Sequence, residues 1–155
     1  GYALGGGCGI ALACTVRVMS TDARIGLPEV KLGVLPGGGG TQRLPRIVGL
    51  GWALHIALTA EFLDAETAFR IGLVTKLAKP EELMEACTEI ATKLAEKPPL
   101  AVRAIEQAMR ASFDVNSHRG LEMERQLMAT LLSTEDHHEG IRAFLEKRKA
   151  NFKGK

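Results

Sequence analysis

Glu29 is the first residue whose type and setting suggest chemistry. It lies in Leu27-Pro28-Glu29-Val30, between two glycine-rich runs, Gly5 to Gly7 and Gly37 to Gly40. A carboxylate flanked by apolar residues and close to a side-chain-free loop suits proton transfer. A solvated glutamate after a turn proline is the plainer alternative. The first glycine run leads into Ile10-Ala11-Leu12-Ala13, a short helix by composition. A helix start leaves backbone N–H groups without intrahelical acceptors. Such donors can hold an anion or a developing oxyanion. The same glycines suit close packing of a helix on a strand, and the local sequence leaves both readings open. The second run is followed by Thr41-Gln42-Arg43 and lacks the GK[ST] ending of a phosphate-binding P-loop. No G-x-G-x-x-G with a suitable downstream acid sits between a strand and a helix either, which argues against a dinucleotide site.

Other reactive side chains point elsewhere. Cys8, Cys14 and Cys87 form no CxxC pair, so reduced thiols in an intracellular compartment are expected. His137 and His138 are adjacent, and neighbours on a helix point in different directions. No metal site is expected, because one needs three or four convergent ligands. The net charge of +2 is spread among interspersed acids and bases, which gives no push towards nucleic acid or an anionic membrane. No apolar run reaches the ~20 residues of a membrane span, and no secretory signal is visible. The chain begins inside a glycine-rich motif without Met, from which missing upstream sequence is expected.

The elements that must position these residues can be read in outline. A helix is expected over about residues 5–14, a strand over 15–19, and a second strand over 23–27 ended by Pro28. Thr41 falls at an N-cap or first helical turn, opening a helix to about Val48. Trp52, Ile56 and Leu63 then fall on helical spacing. Residues 65–71 read as a helix closed by Gly72, and 73–77 as a last strand. Pro80 starts a helix carrying Leu83, Cys87, Ile90 and Leu94 on one face. After Pro98-Pro99, helices are expected near 99–112, 117–132 and 135–148. The composition thus shifts from glycine-rich loops with short strands to an all-helical tail, an α/β pattern.

Several segments together resemble one family. GYALGGGC at residues 1–8 looks like the oxyanion loop and helix of the crotonase (enoyl-CoA hydratase/isomerase) family. GLPEVKLGVLPGGGGTQRL at 26–44 resembles its second signature. AETAFRIGLV at 65–74 resembles its next helix–strand step, and AFLEKRKANFKGK at 143–155 the end of hydratase chains. The order and spacing of these motifs place the chain, as an expectation, in the C-terminal portion of a hydratase with the N-terminal half absent.

The resemblance implies the following. The fold is the C-terminal part of a ββα spiral followed by a helical trimerisation region, with residues 1–97 carrying the active-site motifs and 98–155 the oligomerisation helices. The activity is that of a lyase hydrating 2-enoyl-CoA thioesters in fatty acid or branched-chain acyl catabolism. Glu29 matches a catalytic glutamate. Gly6 matches the residue whose backbone N–H forms half of the oxyanion hole. Gly37 matches a glycine that helps place the reacting water, and Phe144 and Lys147 match positions that touch the CoA nucleotide. Coenzyme A is part of the substrate, and no separate cofactor is implied. The partners implied are acyl-CoA and further copies of the chain, as trimer or hexamer, in a bacterial cytoplasm or mitochondrial matrix. Two positions depart from the pattern. Gly9 stands where hydratases usually carry a second catalytic glutamate, and Thr15 where aspartate is common. Gly9 and the absent half are both expected to slow hydration. An isomerase needs one base, so isomerisation through Glu29 alone is the alternative. A non-catalytic, oligomerising or RNA-binding member is another, suggested by Lys147, Arg148, Lys149, Lys153 and Lys155.

Overall fold

The computed structural model describes residues 1–155. It divides into two compact units, Gly1–Thr88 and Glu89–Lys155. The first unit contains every strand. β1 (Tyr2–Leu4) leads into α1 (Gly6–Ala13), and β2 (Val18–Ser20) and β3 (Arg24–Gly26) follow. A 3-10 turn over Glu29–Leu32 precedes α2 (Gly40–Thr59), β4 (Leu63–Asp64), α3 (Ala65–Arg70) and β5 (Lys76–Ala78). β3 runs parallel to β1 on one edge and antiparallel to β4 on the other, with Leu4 opposite Gly26 and Ile25 opposite Leu63. β2 and β5 form a separate parallel pair.

The core of this unit is aliphatic. Leu12, Met19, Ile25, Leu27, Leu44, Ile56, Leu63, Leu73 and Val74 are buried together with Cys8 and several alanines. Burying one such side chain contributes roughly 1.5–3 kcal/mol. The core's position follows from the strands, whose inward residues meet the apolar faces of α1 and α2. Asp64 caps α3 by accepting a hydrogen bond from the Thr67 N–H at 2.8 Å. Gly26 is forced by packing: a β-carbon there would lie 2.8 Å from the Glu61 carbonyl oxygen.

The structure departs from the sequence reading at the strands. Tyr2–Leu4 was not expected as a strand, and Leu63 lies in β4 rather than on a helical face. The strand expected at 15–19 is Val18–Ser20, and that expected at 73–77 is Lys76–Ala78. Three-residue strands are too short to show alternation, and their bounds are set by pairing with distant partners. The helix expected to end near Val48 continues to Thr59 across a break at Gly49, where φ is 78° and ψ 160°.

α4 (Leu83–Ala95) follows a 3-10 turn begun by Pro80. The second unit then holds α5 (Pro99–Ala111), α6 (Ser117–Leu132) and α7 (Glu135–Leu145). Asn116 and Thr134 cap α6 and α7 through their side-chain oxygens. The C-terminal tail folds back on α7. The buried Asp136 carboxylate accepts hydrogen bonds from the Lys153 and Gly154 N–H groups at 2.7 and 2.8 Å. Glu139 accepts from the Asn151 N–H and from both terminal nitrogens of Arg148. No helix is long and apolar enough to cross a membrane.

Candidate active site

Parallel pairing brings the two chemically interesting loops together. β1 and β3 are neighbours that run in the same direction, so the segments after their C-terminal ends emerge side by side. The segment after β1 is the first glycine run, and the segment after β3 is Leu27-Pro28-Glu29. The Gly5 N–H donates to the Gly26 carbonyl at 3.0 Å, extending the ladder one residue past β1. Gly5 then turns the chain with φ 54° and ψ −120°, a conformation open to glycine alone at little cost. It is the N-cap of α1, so the N–H groups of the first turn, Gly6 among them, have no acceptor within the helix.

Glu29 stands against this helix start. A β-carbon at Gly5 would lie 3.6 Å from Glu29 Oε1 and 3.8 Å from its Cδ. Oε2 is buried and has no hydrogen-bond partner in the protein. An unsatisfied buried polar atom costs about 1–3 kcal/mol, which a ligand offering a proton can offset. The 3-10 turn that carries Glu29 is closed at Gly33, which has a left-handed φ of 72° and donates to the Val30 carbonyl at 3.0 Å. Cys8 is 1% exposed on the same helix. Burial pushes its thiol up to about 11, the nearby Glu29 carboxylate pushes in the same direction, and the Gly26 backbone opposes them. At neutral pH Cys8 is therefore a neutral thiol.

The second glycine run faces α1 from the other side. Gly9 is buried, and its β-carbon position lies 3.4 Å from the Gly38 carbonyl oxygen. The four glycines of this run have different reasons to be glycine. Gly40 is required by packing, since a β-carbon would meet Pro36 Cβ at 2.7 Å. Gly39 has a left-handed φ of 87°. Neither reason holds for Gly37 or Gly38, whose β-carbon positions meet ordinary contact or open space. The same is true of Gly6 and Gly7. These four exposed residues offer bare main chain to an approaching molecule. A carboxylate with a free oxygen, beside helix-terminal donors, can move a proton while the donors stabilise negative charge.

Of the residues singled out from the sequence, Gly6, Gly9, Glu29 and Gly37 are thus grouped in the first unit. Phe144 and Lys147 belong to the second. Phe144 is 80% exposed on α7, and Lys147 follows that helix with a left-handed φ of 54°. In the basic tail, Arg148 is engaged by Glu139 and Glu146 and Lys149 by Glu96. No cluster of His, Cys, Asp and Glu with metal-holding geometry is present. Sequence reasoning missed the approach of Glu29 to the α-carbon of Gly5 and the hold of Arg43 on Gly38, since neither pair lies at a spacing that signals proximity.

The chain is similar to known proteins along its whole length. The model of the family described as enoyl-CoA hydratase/isomerase matches residues 1–155. The 2,3-dehydroadipyl-CoA hydratase of Escherichia coli K12 is 48% identical over 155 residues, covering 100% of this chain and 61% of that protein. The crotonyl-CoA hydratase of Syntrophomonas wolfei is 46% identical over 152 residues, covering 98% of this chain and 58% of that protein. The chain therefore spans about three-fifths of the length of these relatives. A crystal structure of enoyl-CoA hydratase from Bacillus anthracis superposes with a TM-score of 0.97 at 41% identity, covering 100% of this chain and 60% of that one. The fold is thus a crotonase-type α/β fold, rich in helices. One expectation is corrected here. The chain was read as the C-terminal portion of a hydratase with an N-terminal half absent. That reading rested on the order of the motifs and on a glycine-rich opening without Met, neither of which locates a chain within a longer one, whereas the family match takes in every residue from 1 to 155. The chain, as a whole, belongs to the enoyl-CoA hydratase/isomerase family.

Proposed function

We propose that the chain is a hydratase-type lyase acting on 2-enoyl-CoA thioesters, with Glu29 as its proton-transfer group. The observation that carries this reading is the buried, unpartnered Oε2 of Glu29 beside the glycine-rich start of α1. Relatives named for crotonyl-CoA and 2,3-dehydroadipyl-CoA hydration support an enoyl-CoA substrate. In this reading the thioester carbonyl lies at the first turn of α1. The Gly6 N–H donates to its oxygen as enolate charge develops, a contact worth on the order of 3 kcal/mol. The oxygen of water adds to C3 as Glu29 takes one of its protons, and Glu29 then passes that proton to C2 and returns to the carboxylate. The main chain at Gly37 helps hold the water. Phe144 and Lys147 match positions that touch the CoA nucleotide, in this family often from a neighbouring subunit, and coenzyme A enters only as part of the substrate.

Gly9 favours a second reading. It is buried in the site and has no side chain to share proton transfer with Glu29. An isomerase moves one proton between C2 and C4 with a single base, so Glu29 suffices. Ile105, Met109 and Leu121 on the helices within residues 98–155, and Phe113 in the turn between α5 and α6, are exposed to solvent, which supports an oligomerisation role for that region and assembly into trimers or hexamers. The cysteines, all free, fit an intracellular setting.

The test is turnover of crotonyl-CoA by the wild-type chain and by Glu29→Gln. Removing a general acid/base costs about 10²–10⁴-fold, so Glu29→Gln should fall by that factor while keeping its fold. Equal turnover by the two proteins would refute the assignment of Glu29.

A further inference from the structure

We propose that Arg43 is a positioning residue, whose guanidinium fixes the Gly38 carbonyl and so sets where the turn at residues 37–40 stands opposite Gly9. This inference rests on the hydratase-type reading of the site and assigns it a residue outside the reacting groups.

Gly38 needs an external hold. It carries no side chain, and nothing lies within 4 Å of its β-carbon position. Its neighbours Gly37 and Gly39 carry no side chain either, so no side chain at these three positions anchors the turn. Arg43 supplies the hold twice. Its backbone N–H donates to the Gly39 carbonyl at 2.9 Å, and its Nη1 donates to the Gly38 carbonyl at 2.9 Å. A β-carbon at Gly39 would overlap Nη1 and come within 2.8 Å of the Arg43 Cζ. Gly39 therefore has two reasons to be glycine, its positive φ and the space the guanidinium occupies. The held carbonyl oxygen is the atom that a β-carbon at Gly9 would meet, at 3.4 Å. A side chain in the first turn of α2 thus determines the wall of the site opposite α1. Displacing such a wall by about 1 Å is enough to cost about 10²-fold in rate.

The experiment compares Arg43→Ala, Arg43→Lys and Arg46→Ala with the wild-type chain. Arg46 is a control of equal charge further along α2, where it donates to the Gln42 carbonyl. Two readouts are taken, steady-state turnover of crotonyl-CoA and backbone amide hydrogen exchange at residues 42 and 43, whose N–H groups donate to the Gly39 carbonyl. Arg43→Ala should lose about 10–100-fold in kcat with KM changed by less than about 3-fold. Millimolar guanidinium ion should restore part of the loss, Arg43→Lys should fall between, and Arg46→Ala should match wild type. Exchange at residues 42 and 43 should quicken about 10-fold in Arg43→Ala. Unchanged kcat in Arg43→Ala overturns the proposal, as does a loss of kcat without faster exchange. If the wild-type chain does not turn over crotonyl-CoA, the hydratase reading fails on its own. Exchange then decides the positioning: faster exchange in Arg43→Ala supports it, and unchanged exchange overturns it.

Discussion

Replacing Gly9 by glutamate should separate a hydratase scaffold short of one acid from an isomerase that needs only Glu29. The backbone around Gly9 leaves room for a β-carbon. The β-carbon would meet only the Gly38 carbonyl, at 3.4 Å from its oxygen and 4.0 Å from its carbon, so a shift of a few tenths of an ångström accommodates it. Glycine within a helix is also less favourable than glutamate by about 0.5 kcal/mol, which offsets part of the cost of burying a carboxylate. Steric effects are separated from chemistry by Gly9→Gln, which has the same shape and cannot exchange a proton. Gly9→Glu should hydrate crotonyl-CoA faster than the wild-type chain by about 10²–10⁴-fold, the usual worth of a general acid/base, and Gly9→Gln should not. Hydration is followed by loss of the conjugated thioester absorbance, and isomerisation by its appearance from a 3-enoyl thioester. Two folded variants with equal hydration rates would refute the reasoning, and so would a gain in isomerisation as large as the gain in hydration.

Other consequences can be measured without substrate. Gly26→Ala places a β-carbon 2.8 Å from the Glu61 carbonyl oxygen; denaturant unfolding should show a loss of about 1–3 kcal/mol or more, because backbone on a paired strand yields little. Cys8 is buried with its thiol pushed up to about 11, whereas Cys14 is exposed; a thiol reagent at mild alkaline pH should modify Cys14 in the native chain and leave Cys8 to react only on unfolding. Glu139 is held at about 2, below its ordinary 4.5, first by the Arg148 side chain and then by the Asn151 N–H. A carboxyl lowered by folding stabilises above its ordinary value, and that contribution is lost as pH falls through the folded value. The stability difference between wild type and Glu139→Gln should therefore be full near neutral pH and shrink between about pH 4.5 and 2, as followed by unfolding in acid.

The legible parts of this chain were those with long repeats of pattern or a motif series. Leu83, Cys87, Ile90 and Leu94 recur at helical spacing and fall in one helix. The helices after Pro98 were readable for the same reason. The strands were not, because Tyr2–Leu4 and Leu63–Asp64 offer two or three residues each, and their partners decide their state. In the site, the two glycine runs and Glu29 could be named from sequence. Their meeting could not, since it depends on β1 and β3 lying side by side. The division of labour within Gly37–Gly40 was equally hidden: packing demands Gly40, a positive φ demands Gly39, and neither demands the first two.

The bare main chain at Gly6, Gly7, Gly37 and Gly38 has a consequence for mutational mapping. A backbone N–H belongs to every residue except proline, so exchanging one side chain for another does not remove it. Alanine scanning would register Glu29 strongly and could pass over the donors beside it. At these four positions a saturation library should instead sort substitutions by bulk and by proline, with alanine tolerated and large side chains rejected whatever their polarity. The genetic signature of this site is a ceiling on size rather than a requirement for a functional group.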